Sequence, residues 1–162
     1  MIQIKIRDRE FSYDMKALAQ AFYPEQKCVV QEEAGWEKYD GYHILWEMDG
    51  VRQYEETIAA PYSKNEVKRQ VYDFLCRNFG KTLPWGILTG IRPAKIPFHM
   101  LAEGRPEDEI FNILCEEYRC SPQKARLALD VAKKEYSLTA GIHHGNSVNI
   151  YIGIPFCPSI CA

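Results

Sequence analysis

At the start of the chain Ile2, Ile4 and Ile6 alternate with Gln3, Lys5 and Arg7. A period of two is what a half-buried strand requires. Ser12 is placed to cap a helix on which Met15, Leu18, Ala19 and Phe22 share one face, and Pro24 ends it. A second strand is expected over Lys27–Glu32. Tyr42, Ile44, Trp46 and Met48 then alternate with His43, Leu45 and Glu47, and Asp49-Gly50 has the composition of a tight hairpin turn before a return strand over Val51–Ala59. Residues 1–60 thus read β-α-β-β-β.

From Ser63 the period changes. Ser63 and Glu66 form a capping box, and Val67, Val71, Phe74, Leu75 and Phe79 follow at helical spacing up to Gly80. Residues 81–97 carry three prolines and two glycines, yet Leu83, Trp85, Ile87, Leu88 and Ile91 call for burial, so an ordered connection is expected. A short helix is predicted over Ile96–Glu103. Pro106 starts another, with Glu107, Asp108 and Glu109 complementing its dipole and Ile110, Ile113, Leu114 and Tyr118 inward. Ser121-Pro122 starts the last, with Ala125, Ala128, Leu129, Ala132 and Tyr136 inward. Gly141–Gly145 is the best place for a domain boundary. Beyond it, Ser147–Ile154 is apolar and β-branched, as a strand covered on both faces would be. The expected fold class is α+β: an antiparallel β-α-β-β-β sheet region, then a helical region.

Composition narrows the function. The chain has 162 residues, 20 of them basic and 22 acidic, for a formal charge of -2. That excludes a bulk basic field for nucleic acid. No apolar run reaches the roughly 18 residues of a membrane span, and the N-terminus lacks the apolar core of a secretory signal. A cytoplasmic protein is expected, in which six cysteines are thiols or metal ligands rather than a disulfide framework. Cys115 and Cys120 fit no zinc spacing and read as buried thiols. His43 and His99 have no ligand partner at helical or strand spacing, adjacent His143 and His144 suit a solvated linker, and the mixed charges over 63–80 and 121–137 read as solvated faces.

Cys157 and Cys161 differ from the rest. They lie four apart directly after the predicted strand, with Pro155 and Pro158 on either side of Cys157. Soft thiolates on one loop select zinc, copper(I) or an iron–sulfur cluster, and reactive groups of parallel α/β barrels gather at the C-terminal ends of strands. On spacing alone, two core thiols explain the pair equally well. The run Tyr151-Ile152-Gly153-Ile154-Pro155-Phe156-Cys157-Pro158-Ser159-Ile160-Cys161 resembles the opening of a radical S-adenosylmethionine enzyme. Its preamble, with Leu83-Pro84-Trp85-Gly86-Ile87-Leu88-Thr89-Gly90-Ile91-Arg92-Pro93 upstream, is similar to the HemZ-type oxygen-independent coproporphyrinogen III oxidases (coproporphyrinogen dehydrogenases).

The resemblance implies a domain plan: 1–62 a small α+β sheet region, 63–140 the helical part of the same N-terminal domain, and 146–162 the first strand and cluster loop of a radical SAM (β/α) barrel. It implies a [4Fe–4S] cluster held by a C-x3-C-x2-C motif, with Cys157 and Cys161 as two ligands and a third at position 164. It implies S-adenosyl-L-methionine bound to that cluster, with Tyr151 and Gly153 near it and the substrate. The better-known members have His where this chain has Gly153, so their substrate contact does not transfer. The reaction implied is reductive cleavage of S-adenosylmethionine, hydrogen abstraction from a propionate and loss of CO2 and one electron to leave a vinyl group, carried out twice to give protoporphyrinogen IX in anaerobic haem biosynthesis. The implied partners are a tetrapyrrole substrate and an electron donor such as flavodoxin or ferredoxin. The fragment alone is expected to be inactive. Two other readings stand beside this one, a radical-SAM-like haem chaperone and a binding domain with no enzymatic role. Tyr151 suits a buried barrel tyrosine equally well. Arg92 and Lys95 are candidates for the substrate carboxylates, since a guanidinium binds a carboxylate with two hydrogen bonds; Arg92 alternatively ties down its own loop.

Overall fold

The computed structural model describes residues 1–139 together with Ile150, Ile152 and Gly153. Four strands form one mixed sheet: β1 (Ile2–Ile6), β2 (Cys28–Glu32), β3 (Gly41–Met48) and β4 (Val51–Ala59), in the order β2-β1-β3-β4. Contrary to expectation, the sheet is not antiparallel throughout: β1 runs parallel to β2, because α1 (Ser12–Phe22) carries the chain back across the sheet. β1 and β3 are antiparallel, with Ile4 opposite Trp46, and β3 and β4 form the expected hairpin. Asp49 and Gly50 take φ of 50° and 79°, the left-handed pair that a two-residue hairpin turn needs.

The alternation read from the sequence sets the core. Ile2, Ile4, Ile6, Tyr42, Ile44 and Trp46 come from the sheet; Met15, Leu18 and Phe22 from α1; and Val67, Val71, Phe74 and Leu75 from α2 (Lys64–Phe79). Ser63 accepts a hydrogen bond from the Glu66 N–H at 3.2 Å, and Gly80 ends α2 at φ 59°, as the capping box and the terminal glycine demand. A smaller helical core joins Leu88, Ile110, Leu114, Cys120, Ala125, Ala128 and Leu129. It is built by α3 (Lys95–Ala102), α4 (Glu107–Glu116) and α5 (Pro122–Thr139).

Several expectations are corrected. Ser12 does not cap α1 but is its first residue; Asp8 caps a short 3-10 turn (Arg9–Phe11) that leads into the helix. Ile91 and Tyr136 are not buried, and Phe79 lies at the margin, edge-on to Tyr23. The charged face of α2 is not wholly solvated. Lys68 is buried, because Asp14 of α1 is buried beside it with Oδ1 3.1 Å from its ammonium. The exposed Lys64 reaches the other oxygen of Asp14 at 2.7 Å. An ion pair thus crosses the α1–α2 packing surface. On the hairpin, His43 Nδ1 lies 2.6 Å from Thr57 Oγ1, and Tyr39 stacks on the His43 ring at 3.9 Å. The segment between β2 and β3 therefore folds back over the outer face of the sheet.

The boundary at Gly141–Gly145 lies outside the described residues. So does most of the predicted strand Ser147–Ile154. Ile150, Ile152 and Gly153 are in no helix or strand, and both isoleucines are exposed.

Candidate functional site

Two parts of the chain carry candidate chemistry. Of the terminal loop, Tyr151, Cys157 and Cys161 lie outside the described residues, and Gly153 is exposed. Among the described residues no group of three or more His, Cys, Asp or Glu side chains is placed to hold a metal ion.

The second part is the connection from Leu83 to Lys95. Tyr72 of α2 clamps its start, donating its hydroxyl to the Leu83 carbonyl at 3.3 Å and accepting from the Leu83 N–H at 3.0 Å. The next residues pair with the turn between α4 and α5. Ile87 N–H donates to the Tyr118 carbonyl, and Ser121 N–H donates to the Pro84 carbonyl, both at 2.9 Å. Gly86 sits at this crossing with φ 55°, and a Cβ there would collide with the carbonyl of Tyr118 and the backbone of Arg119. Arg119 itself has φ 57° and makes a bidentate pair with Asp73 of α2, at 2.9 and 2.7 Å. These charge-assisted bonds raise the pKa of Arg119. The proline- and glycine-rich run thus knits the sheet core to the helical core. Neither Arg119 nor Asp73 was singled out in the sequence, since nothing local marks a contact 46 residues apart.

Beyond the crossing the chain turns outward. The Arg92 guanidinium lies 3.2 Å from Glu135 of α5 and is 63% exposed. It ties its loop to α5 while staying open to a second carboxylate. Lys95 is exposed at the first turn of α3. Trp85, Arg92, Pro93, Ala94, Leu127, Ala128 and Val131 line an open groove of about 250 Å³.

The described thiols are held protonated by their surroundings. Burial raises Cys28, Cys76 and Cys115, and pushes Cys120 up to about 11. Cys120 is buried and Cys115 half-buried, so both sit in the helical core rather than in a metal site. An unfolded thiol ionises near 9, whereas the folded Cys120 stays neutral to about 11. Its contribution is therefore complete below pH 9 and is lost as pH rises through 11. Urea melts at pH 8 and pH 10.5 should show a loss, relative to Cys120→Ser, on the order of 1 to 2 kcal/mol; an equal pH dependence in both proteins would reject this assignment.

Against known proteins, 108 residues of the chain are 33% identical to the oxygen-independent coproporphyrinogen-III oxidase-like protein HemZ of Bacillus subtilis (strain 168). Over that stretch the chain is HemZ-like. The match takes in 66% of this chain and 22% of HemZ, so the chain spans about a fifth of the length of the relative it matches. No family model matches, and no solved structure matches. Among the described residues of the HemZ-like chain, no helix is long and apolar enough to cross a membrane.

Proposed function

We propose that this HemZ-like chain is the N-terminal part of a radical SAM enzyme that oxidatively decarboxylates coproporphyrinogen III to protoporphyrinogen IX. One observation carries the proposal. The Cys157-x3-Cys161 pair follows Tyr151-Ile152-Gly153-Ile154-Pro155-Phe156 in a chain one third identical to HemZ over most of its length. In this plan residues 1–62 and 63–140 form one N-terminal domain, and 146–162 open the radical SAM domain.

The donor set is of the right kind for an iron–sulfur cluster, since thiolates are its usual protein ligands. Cys157 and Cys161 would supply two of three thiolates. The cluster, when bound with S-adenosylmethionine, supplies the one-electron chemistry; the protein supplies position and shelter. Pro155 and Pro158 would restrict the backbone on either side of Cys157. Gly153, having no side chain, would leave room beside Tyr151 for a ligand if Ser147–Ile154 forms a strand in the complete domain. Arg92, exposed on its loop, offers a guanidinium to a propionate of the tetrapyrrole, and Lys95 a second charge. A flavodoxin or ferredoxin in the cytoplasm would deliver the electron.

The test is anaerobic purification of the full-length protein. Iron and sulfide at about four each per chain are expected. Cys157→Ser and Cys161→Ser should each abolish cluster binding while leaving the thermal melt of the N-terminal domain unchanged. Zinc in place of iron would overturn the proposal. So would tight haem binding without CO2 release from coproporphyrinogen, the behaviour of a haem chaperone.

A further inference from the structure

One face of α5 carries three exposed apolar side chains, with the exposed Lys134 among them. Leu127, Val131 and Leu138 are 47%, 43% and 66% exposed. Their spacings of four and seven put them within about 40° of one another on a helix, a single stripe about 16 Å long. The groove beside Trp85 and Pro93 takes in the first two of these side chains. Ile91, next to Arg92 in the chain, adds another half-exposed apolar side chain. Other exposed apolar side chains, such as Val51 on β4, stand far from this groove in the chain, whereas Leu127 and Val131 line it together.

The same chain carries a second bare apolar strip. Ile150 and Ile152 are 83% and 87% exposed. Two apart, they would share one face of a strand. The eleven residues from Thr139 to Ile150 span at most about 38 Å, more than twice the length of the stripe. The second strip is thus tethered within reach of every point on the first. A short tether holds its end at an effective concentration in the millimolar range, far above that of a second copy of the protein.

We propose that the α5 stripe and its groove are the seat for the segment bearing Ile150 and Ile152. The helical half of the N-terminal domain would then dock onto the strand that leads into the cysteine loop. This rests on the function proposed above, in which Ser147–Ile154 opens the second domain. Its consequence concerns the site. Cys157 follows Ile152 by five residues, a span of at most about 18 Å. Docking would bring the cysteine loop within that distance of the groove, and make Arg92 and Lys95 its neighbours.

A photoreactive benzoylphenylalanine at Val131 in the full-length protein tests the docking, because Val131 is exposed and its replacement leaves both cores intact. Irradiation at low concentration should give an intramolecular cross-link to the peptide containing Ile150 and Ile152. The paired change Ile150→Asp with Ile152→Asp should lose that cross-link. In hydrogen exchange, the same pair should lose protection over residues 127–138. A cross-link to a second chain, to another peptide or to none would overturn the proposal, as would unchanged α5 protection. Iron and sulfide in the same preparation read the cluster separately. Iron retained without the cross-link rejects the docking alone; the cross-link without iron rejects the cluster alone.

Discussion

Asp14→Ala is expected to lower the unfolding free energy by about 3 to 5 kcal/mol, the usual cost of stranding one member of a buried ion pair. Asp14 and Lys68 are 5% and 6% exposed, at the junction of α1 and α2 over the sheet. With the carboxylate removed, the Lys68 ammonium keeps its desolvation cost and loses the partner that offset it. Lys64 cannot compensate, being itself a cation. A second variant separates the charge effect from lost packing. Lys68→Met keeps the aliphatic stem and removes the charge, so the double variant with Asp14→Ala should be more stable than Asp14→Ala alone. Urea melts of the three proteins measure this. A loss below about 1 kcal/mol for Asp14→Ala would show the pair to be solvated, as exposed pairs are.

Gly86→Ala should cost about 2 to 5 kcal/mol. An alanine at φ 55° carries about 1 to 2 kcal/mol of backbone strain. The added Cβ meets fixed backbone at Tyr118 and Arg119, and overpacking of that kind costs about 1 to 3 kcal/mol more. The effect has a location as well as a size. The Ile87–Tyr118 and Ser121–Pro84 hydrogen bonds lie at this crossing, so the amides of Ile87 and Ser121 should exchange faster in the variant. The amide of Ile4 in the sheet core should change less. Equal acceleration at both places would mean the two cores unfold as one unit and that Gly86 is no junction between them. Gly50→Ala serves as a control. It has a comparable positive φ of 79° but nothing within 4 Å of the added Cβ, so strain without collision should leave its cost at about 1 to 2 kcal/mol.

The sequence alone was a sufficient guide wherever a decision is local. The alternation of Ile2, Ile4 and Ile6, the Asp49-Gly50 turn, the Ser63–Glu66 box and the Pro106 and Pro122 starts all rest on interactions within a few residues, and each recurs in the structure. The Cys157-x3-Cys161 spacing by itself left two core thiols as good an explanation as metal ligands; the resemblance of the surrounding run pointed to the HemZ-type family, and the kinship with HemZ supports that family.

What only the tertiary structure decided is which polar side chains lose water and which apolar ones keep it. Lys68 stands on α2 among other charges and looks solvated until α1 brings Asp14 to it. His43 occupies a polar position of a hairpin until Trp36 and Tyr39 close over it. Arg119 and Asp73 are 46 residues apart, and Gly86 reads as an ordinary loop glycine until the backbone of Tyr118 and Arg119 lies against it. Ile91 and Tyr136 look like core residues and are exposed. Burial is a property of the packed assembly. A residue's own pattern states its preference, but desolvation and charge pairing depend on neighbours that the chain supplies from far away.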